Sequence, residues 1–205
     1  MIGRTNIKGV TTKKINFIEY IESTGTQYIN TGVPANINLK VVANIMALGS
    51  GFPFGVIPTV DVQCYGIEYT SNNKRLQSYF GTKGTNGNYP GIGGLLSTNS
   101  KVTLTANDTR KFILGKTTFA NYTTTNNTLE FGPLPISIFT ANGVHLNSRI
   151  SMRLYAFQMY DNAVLVRDFV PALDENNVAG LWDKVDEKFY YNQGTGTFNA
   201  GPVVV

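Results

Sequence analysis

The chain has 205 residues and a formal net charge of +4 at pH 7, with 42% hydrophobic and only 15% charged residues. This balance excludes a disordered chain, which is poor in apolar residues and rich in charge. Because Gly, Tyr, Phe, Asn and Thr are frequent and charged helix formers are scarce, we expect an all-β protein and exclude a coiled coil, a helical bundle and a helical DNA-binding domain.

The first fourteen residues are basic and contain no acid. Their charges are Arg4, Lys8, Lys13 and Lys14, whereas residues 15–205 hold equal numbers of basic and acidic residues. We therefore predict a flexible basic arm over residues 1–14 and a single domain over residues 15–205. The arm either anchors on an acidic neighbour or is a solvated terminus. Four charges without interleaved aromatic residues argue against nucleic-acid binding.

Turn signals recur every eight to twelve residues along the rest of the chain, which is typical of a sandwich or barrel. Residues 15–22 and 26–33 flank Ser23-Thr24-Gly25, a predicted tight reversal, and residues 37–48 form a longer strand. Hairpin turns are predicted at residues 71–74, 107–108, 161–162 and 186–187, and a glycine-rich loop at residues 82–94. The one helix candidate is a single turn at residues 172–177. This order predicts an antiparallel two-sheet β-sandwich of the jelly-roll type.

One cysteine, Cys64, and one histidine, His145, limit the available chemistry. No internal disulfide can form, and a Cys/His zinc site needs about four ligands. No apolar run approaches the ~20 residues of a membrane-spanning helix. Residues 1–14 lack the apolar core of a signal peptide, so we expect no export by the general secretory route.

Charge is segregated within the body of the chain. Residues 71–116 hold seven bases against one acid, Asp108, whereas residues 158–191 hold seven acids against three bases. Such patches either support head-to-tail contacts between copies or neutralise each other within the fold.

Two stretches near the ends of the chain carry a family resemblance. Residues 18–33 read IEYIESTGTQYINTGV, and residues 152–201 contain VRDFVP, GLWD and KFYYNQGTGTFNAG. They resemble the first and last strands of the concanavalin A-like (laminin-G-like) jelly-roll modules of bacteriophage structural proteins and gut-bacterial surface proteins. The resemblance covers about a third of the chain. It implies a jelly roll whose terminal strands lie side by side.

Several residues of these motifs have structural interpretations. We expect Asp168 to be a buried acceptor for backbone N–H groups and Trp182 to pack between the sheets. Asp183 is interpreted as a solvated charge beside a turn. Three glycines fit positions that need close backbone approach or a positive φ, namely Gly180, Gly194 and Gly196.

The known catalytic motifs are missing from the sequence. Jelly-roll glucanases resemble one another in an E-x-D-x-(x)-E strand, and a retaining pair needs its carboxyls about 5.5 Å apart. Glu19 and Glu22 instead have an odd spacing, which places them on opposite faces of a strand. Gly115-Lys116-Thr117 lacks the first glycine of a P-loop, and His145 has no GxSxG partner. We expect no enzymatic activity and no cofactor.

A metal site is not predicted either. Related laminin-G-like modules sometimes bind Ca²⁺ through loop oxygens, and Asp61, Asp108 and Asp161 are carboxylates of that kind. Nothing in their spacing indicates a site.

Two functions remain. The first is a phage virion building block, such as a capsid decoration, head fibre or tail appendage. Such a protein is located on the particle and binds other virion proteins. We expect it there in several copies or as a homo-oligomer. The absence of an export signal, the basic arm and the resemblance favour it.

The second function is a glycan-binding module for bacterial or host surface glycans. Sugar sites combine an aromatic ring with fixed amide and backbone hydrogen bonds. The glycine-rich loop supplies Asn86, Asn88 and Tyr89, and the strand before the predicted turn at residues 71–74 supplies Tyr65 and Tyr69. The alternative for Tyr89 is that it merely pins the loop.

Overall fold

The computed structural model describes residues 15–59, 63–81, 91–92, 96–108, 111–121 and 131–204. Within these ranges the chain forms strands and no helix, so none of this part is a helix that could cross a membrane. The strands are β1 (Asn16–Phe17), β2 (Ile21–Thr24), β3 (Ile29–Pro34), β4 (Leu39–Ala47), β5 (Gly51–Ile57), β6 (Cys64–Thr70), β7 (Arg75–Gly81), β8 (Gly91–Ile92), β9 (Lys101–Ala106), β10 (Lys111–Leu114), β11 (Thr117–Asn121), β12 (Pro135–Ile138), β13 (Ala141–Gly143), β14 (Ser151–Asp161), β15 (Val164–Leu173), β16 (Ala179–Asp183), β17 (Lys188–Tyr190) and β18 (Asn199–Ala200).

These strands form two sheets. The larger has the order β11-β10-β9-β4-β14-β15-β16-β17, with β1 beside β15 and β2 paired to both β14 and β18. The smaller has the order β3-β12-β5-β6-β7-β8, with β13 in parallel on β5. All other pairs are antiparallel, so the prediction of an all-β, antiparallel two-sheet sandwich is confirmed, and the arrangement is compatible with a jelly roll.

The core lies between the two sheets and follows the two-residue period of the strands. On β4, alternate side chains are fully buried, namely Leu39, Val41, Ala43, Ile45 and Ala47. Across the sandwich, the ring of Phe54 meets that of Phe157 edge-on at 5.5 Å between centroids. Burial of these side chains, at roughly 25 cal/mol per Å² of apolar surface, is the main stabilising contribution.

The predicted hairpins are present. β6 and β7 pair around residues 71–74, β9 and β10 around 107–108, β14 and β15 around 162–163, and β16 and β17 around 184–187. The terminal strands also lie side by side, because Asn199 pairs with Glu22. The single helical turn predicted at residues 172–177 is wrong, since β15 continues to Leu173 and a turn closed by Asn177 N–H and the Asp174 carbonyl follows.

Ser23-Thr24-Gly25 is not the hairpin reversal that its sequence predicts. β2 belongs to the larger sheet and β3 to the smaller, so this segment carries the chain from one sheet to the other. The buried side chain of Gln27 holds the arch, since its Oε1 accepts from Ser23 Oγ at 3.0 Å and from Thr24 N at 2.9 Å. A side chain therefore supplies the hydrogen bonds that a strand partner supplies in a hairpin.

The two aspartates of the terminal motif, Asp168 and Asp183, each have the environment that was expected for the other. Asp183 is fully buried, and its Oδ1 accepts from the backbone N–H groups of Asp168 and Val185. The Asp168 side chain is instead partly exposed and lies 3.8 Å from Lys184 Nζ. Trp182 is also outside the core, because it is only partly buried and meets Phe189 edge-on at 5.2 Å.

Candidate functional site

The structure corrects the expectation for two of the predicted sugar-binding residues. Tyr65 and Tyr69 are 1% and 0% exposed and lie in the core between the sheets. Their hydroxyls donate to the carbonyls of Leu39 and Leu96 at 2.8 and 3.1 Å. Neither ring is available to stack on a ligand at the surface. Outside the described residues lie Asn86, Asn88 and Tyr89, and also Arg4, Lys8, Lys13 and Lys14 of the predicted arm.

A cleft of about 360 Å³ opens at one end of the sandwich. Three parts of the larger sheet meet there: the start of β4, the β9–β10 turn and the β14–β15 turn. Its polar lining consists of Asn38, Lys40, Asn107, Asp108, Tyr160 and Asn162. We call it the Lys40 cleft.

Asn107 is the buried anchor of the Lys40 cleft. Its Nδ2 donates to the carbonyls of Ile37 and Leu39, each at 2.8 Å, which fixes the orientation of the amide. The other amide atom, Oδ1, is buried and has no hydrogen-bond partner among the described residues. Buried acceptors are seldom left unpaired, and each costs about 1–3 kcal/mol. Asn107 therefore fixes the floor of the cleft, and its buried Oδ1 is closed to a ligand in this conformation.

Lys40 occupies the middle of the cleft. Its Nζ lies 3.7 Å from Asp108 Oδ1 and 4.6 Å from the centre of the Tyr160 ring. The Tyr160 hydroxyl donates to Gln158 Oε1, and Gln158 Nε2 donates to Asp168 Oδ1 at 3.0 Å. The Tyr160 ring is thus held in place before any ligand arrives, which lowers the ordering cost of binding.

Carboxamides form the rim of the cleft. Asn38 Nδ2 donates to Asn162 Oδ1 at 2.8 Å, so the segment before β4 is tied to the β14–β15 turn. Asn162 and Ala163 both have positive φ, as a type I′ hairpin turn requires, and asparagine adopts that conformation readily. Asp161 Oδ1 accepts from Asn36 and Asn162, so this carboxylate also belongs to the frame of the rim.

Carboxamides, one ion pair and one tyrosine ring suit the binding of a ligand rich in hydroxyl groups. Hydroxyls both donate and accept, and they match amide groups of fixed orientation. Among the described residues, no three His, Cys, Asp or Glu side chains come together in a group that could hold a metal ion. Asp108 and Asp161 do reach the same end of the sandwich, but Lys40 and two asparagines already face them.

A second concavity, of about 490 Å³, lies beside β16 and β17. It is more apolar, and its rim includes Val178 and Tyr191, which are 45% and 42% exposed. Burial and the hydrogen bond to Asp174 raise the pKa of Tyr191 to about 12. The amide of Asn192 is used internally, because Oδ1 accepts from Tyr28 and Gly194 while Nδ2 donates to Gly196 O. Fewer polar side chains line this concavity than line the Lys40 cleft.

The two terminal motifs form a seam rather than a site. Gln27 Nε2 donates to the Thr197 carbonyl at 2.9 Å, and the Tyr20 ring packs so closely on Gly201 that a Cβ there would lie 2.9 Å from it. Each motif thus completes the packing of the other. The chain matches no protein-family model, and no curated protein or solved structure shows significant similarity to it.

The residues of the Lys40 cleft were not predicted as a site from the sequence. From the sequence, Asn107 and Asn162 are predicted only as turn residues and Lys40 only as a residue of the strand over 37–48, while Tyr160 directly precedes a predicted turn. The available signal was the pair of asparagine-containing turns, because hairpins that close at the same end of a sandwich bring their turn side chains together.

Proposed function

We propose that the chain is a non-enzymatic structural or accessory protein of a bacteriophage particle, built on a concanavalin A-like jelly roll. The observation that carries this proposal is the seam. The residues that resemble the phage modules are the ones that pack on each other, as in the contacts of Gln27 with Thr197 and of Tyr20 with Gly201. A capsid decoration, a head fibre and a tail appendage are all compatible with such a module.

Quantitative mass spectrometry of gradient-purified particles from the phage or prophage that encodes the chain tests this function. We expect the chain at a fixed ratio to the major capsid protein. Hundreds of copies per particle indicate capsid decoration, and a handful indicate a tail or fibre position. Absence of the chain from purified particles that contain every other structural protein would refute the proposal.

A second function, carbohydrate binding by a surface-exposed module, is favoured by the Lys40 cleft. The carboxamides of the rim and the Tyr160 ring, which its hydrogen bond to Gln158 holds in place, are groups of the kind that bind sugars. We propose a neutral or amino sugar as the ligand, because the ammonium of Lys40 is already balanced by Asp108.

Titration of the purified chain with oligosaccharides from bacterial surface polysaccharide tests this second function. Tyr160→Ala should weaken binding about tenfold, since an aromatic contact contributes about 0.5–1.5 kcal/mol beyond its buried area. The matched control is Tyr155→Ala, because Tyr155 lies on the same strand and has Lys101 Nζ 3.8 Å from its ring centre. Equal losses in both variants, or binding unaffected by Tyr160→Ala, would exclude the Lys40 cleft.

A further inference from the structure

Four basic residues lie at the end of the sandwich opposite the Lys40 cleft, where the strand register places them. Lys101 begins β9 beside Met46, near the end of β4, and Lys74 and Arg75 lie at the β6–β7 turn. Ser50, which links β4 to β5, joins these two parts through a 2.8 Å contact between its hydroxyl and that of Ser71. The β10–β11 turn carries Lys116 next to Gly115, whose N–H donates to the Thr103 carbonyl. We call Lys74, Arg75, Lys101 and Lys116 the basic end.

All four side chains of the basic end are exposed. None of them has a carboxylate within ion-pair distance among the described residues, and residues 48–50, 71–75, 96–101 and 115–116 contain no acid. In the described part of the chain, therefore, no ion pair neutralises the charge of these four side chains.

The acidic segment does not neutralise the basic end either. Arg167 lies 3.5 Å from Asp183 and 3.1 Å from Asp186, and Lys184 lies 3.8 Å from Asp168. These acids are thus paired with bases of their own segment. The described residues therefore do not show the acidic and basic segments neutralising each other within the fold, which is one of the two interpretations of the segregated charge.

The composition of the basic end indicates a hydrated polyanion as its partner. The cores of protein interfaces are apolar and depleted in lysine. None of the large apolar side chains exposed in the described part of the chain lies on the segments of this end. Single-stranded nucleic acid needs aromatic platforms for its bases. The ring beside Lys101, that of Tyr155, already contacts the lysine ammonium and also meets the Tyr20 ring edge-on at 5.6 Å between centroids.

We propose that the basic end binds an anionic polysaccharide through Lys74, Arg75, Lys101 and Lys116. Charge along such a polymer matches several cations at once, and the release of its counterions drives association at low salt. This surface is separate from the Lys40 cleft, and the inference does not depend on the virion function.

The test uses the purified full chain with dextran sulfate, uncharged dextran of equal length and single-stranded DNA as probes. We expect dextran sulfate to bind with an affinity that falls steeply as salt rises, and uncharged dextran not to bind. Lys101→Gln combined with Lys116→Gln should weaken dextran sulfate binding about tenfold. The control, Lys111→Gln with Lys184→Gln, removes the same charge at the other end of the sandwich and should change affinity less than about twofold.

Circular dichroism and melting temperatures of both double variants establish that they fold as the parent does. Equal losses of dextran sulfate affinity in the two double variants would show that only net charge matters and would overturn the proposal. Failure of dextran sulfate to bind at low salt would also overturn it. Tighter binding of single-stranded DNA than of dextran sulfate would replace the polysaccharide with a nucleic acid.

Discussion

Gly194 lies so close to Thr26 that a Cβ atom placed on it would stand 2.1 Å from the Thr26 carbonyl oxygen. The same carbonyl accepts a hydrogen bond from Thr195 N–H at 3.1 Å, so the contact is between two backbones. Only glycine permits this approach. The expectation that Gly194 marks a close backbone contact is thereby confirmed, and the conspicuous glycines of the last motif have a role in packing.

Gly194→Ala should destabilise the protein by about 3 kcal/mol, because a methyl group forces the two backbones apart in a tightly packed seam. For a chain of this size the melting temperature should fall by roughly 6–12 °C. The matched control is Gly49→Ala, whose Cβ would lie at an ordinary 3.5 Å from Ser151 Cβ. Thermal unfolding of both variants measures the difference, and equal melting temperatures would contradict the packing role of Gly194.

The alternation of inward and outward positions along a strand predicts burial better here than the chemical type of a single charged or aromatic residue does. In GLWD, Leu181 faces the core, so the two-residue period places Asp183 inward and Trp182 outward. In the same way Tyr65 and Tyr69 share a face with Ile67 and are buried with it. From residue type alone, Asp183 is expected to face solvent and the two tyrosines to lie at a binding surface. In both cases the position in the strand decides instead, and all three side chains are buried.

The Lys40 cleft was harder to predict because its residues are distant in sequence. Asn38, Asn107 and Asn162 come together only once β4 is paired with both β9 and β14. Turn positions were predictable from asparagine, but the pairing that brings two turns and the start of β4 to one end depends on the whole sheet. The same holds for the basic end, whose four cations come from both sheets.

Asp183→Asn should cost about 2 kcal/mol of unfolding free energy, because it removes the buried carboxylate beside Arg167, which keeps Asp186 as its second partner. Asp183 Oδ2 lies 3.5 Å from Arg167 Nε, and Arg167 Nε also donates to the Thr31 carbonyl, which ties the larger sheet to the smaller. Asp168→Asn, at a partly exposed carboxylate, should cost less than about 1 kcal/mol. Urea unfolding compares the two variants, and a smaller loss for Asp183→Asn than for Asp168→Asn would reverse this ranking.

Asp174 should make stability depend on pH on the acid side. The Val178 N–H, with the Tyr191 hydroxyl and the Asn176 N–H, lowers the pKa of Asp174 below its ordinary value, although burial acts in the opposite direction. A lowered pKa in the folded state means that the contribution is complete above the unfolded pKa of about 3.9 and is lost as pH falls through the folded value.

Asp174→Asn should therefore have a lower melting temperature than the parent at pH 7, and the difference should shrink below about pH 4. Glu175→Gln removes the same charge from the adjacent, exposed position and is the control for net charge. Melting curves between pH 7 and pH 2 provide the measurement. A difference between Asp174→Asn and the parent that stays constant over this range would show that the carboxylate charge does not contribute.

Tyr65→Phe separates a core role for this tyrosine from a role in ligand binding. The Tyr65 hydroxyl donates to the Leu39 carbonyl at 2.8 Å, and the ring packs against Phe80 at 5.9 Å between centroids. Loss of the hydroxyl should cost about 1–2 kcal/mol of unfolding free energy, because a buried hydrogen bond is removed while the ring contacts remain. Oligosaccharide affinity, measured well below the melting temperature, should be unchanged. A loss of oligosaccharide affinity with an unchanged melting temperature would indicate that Tyr65 contacts the ligand and would contradict its burial in the core.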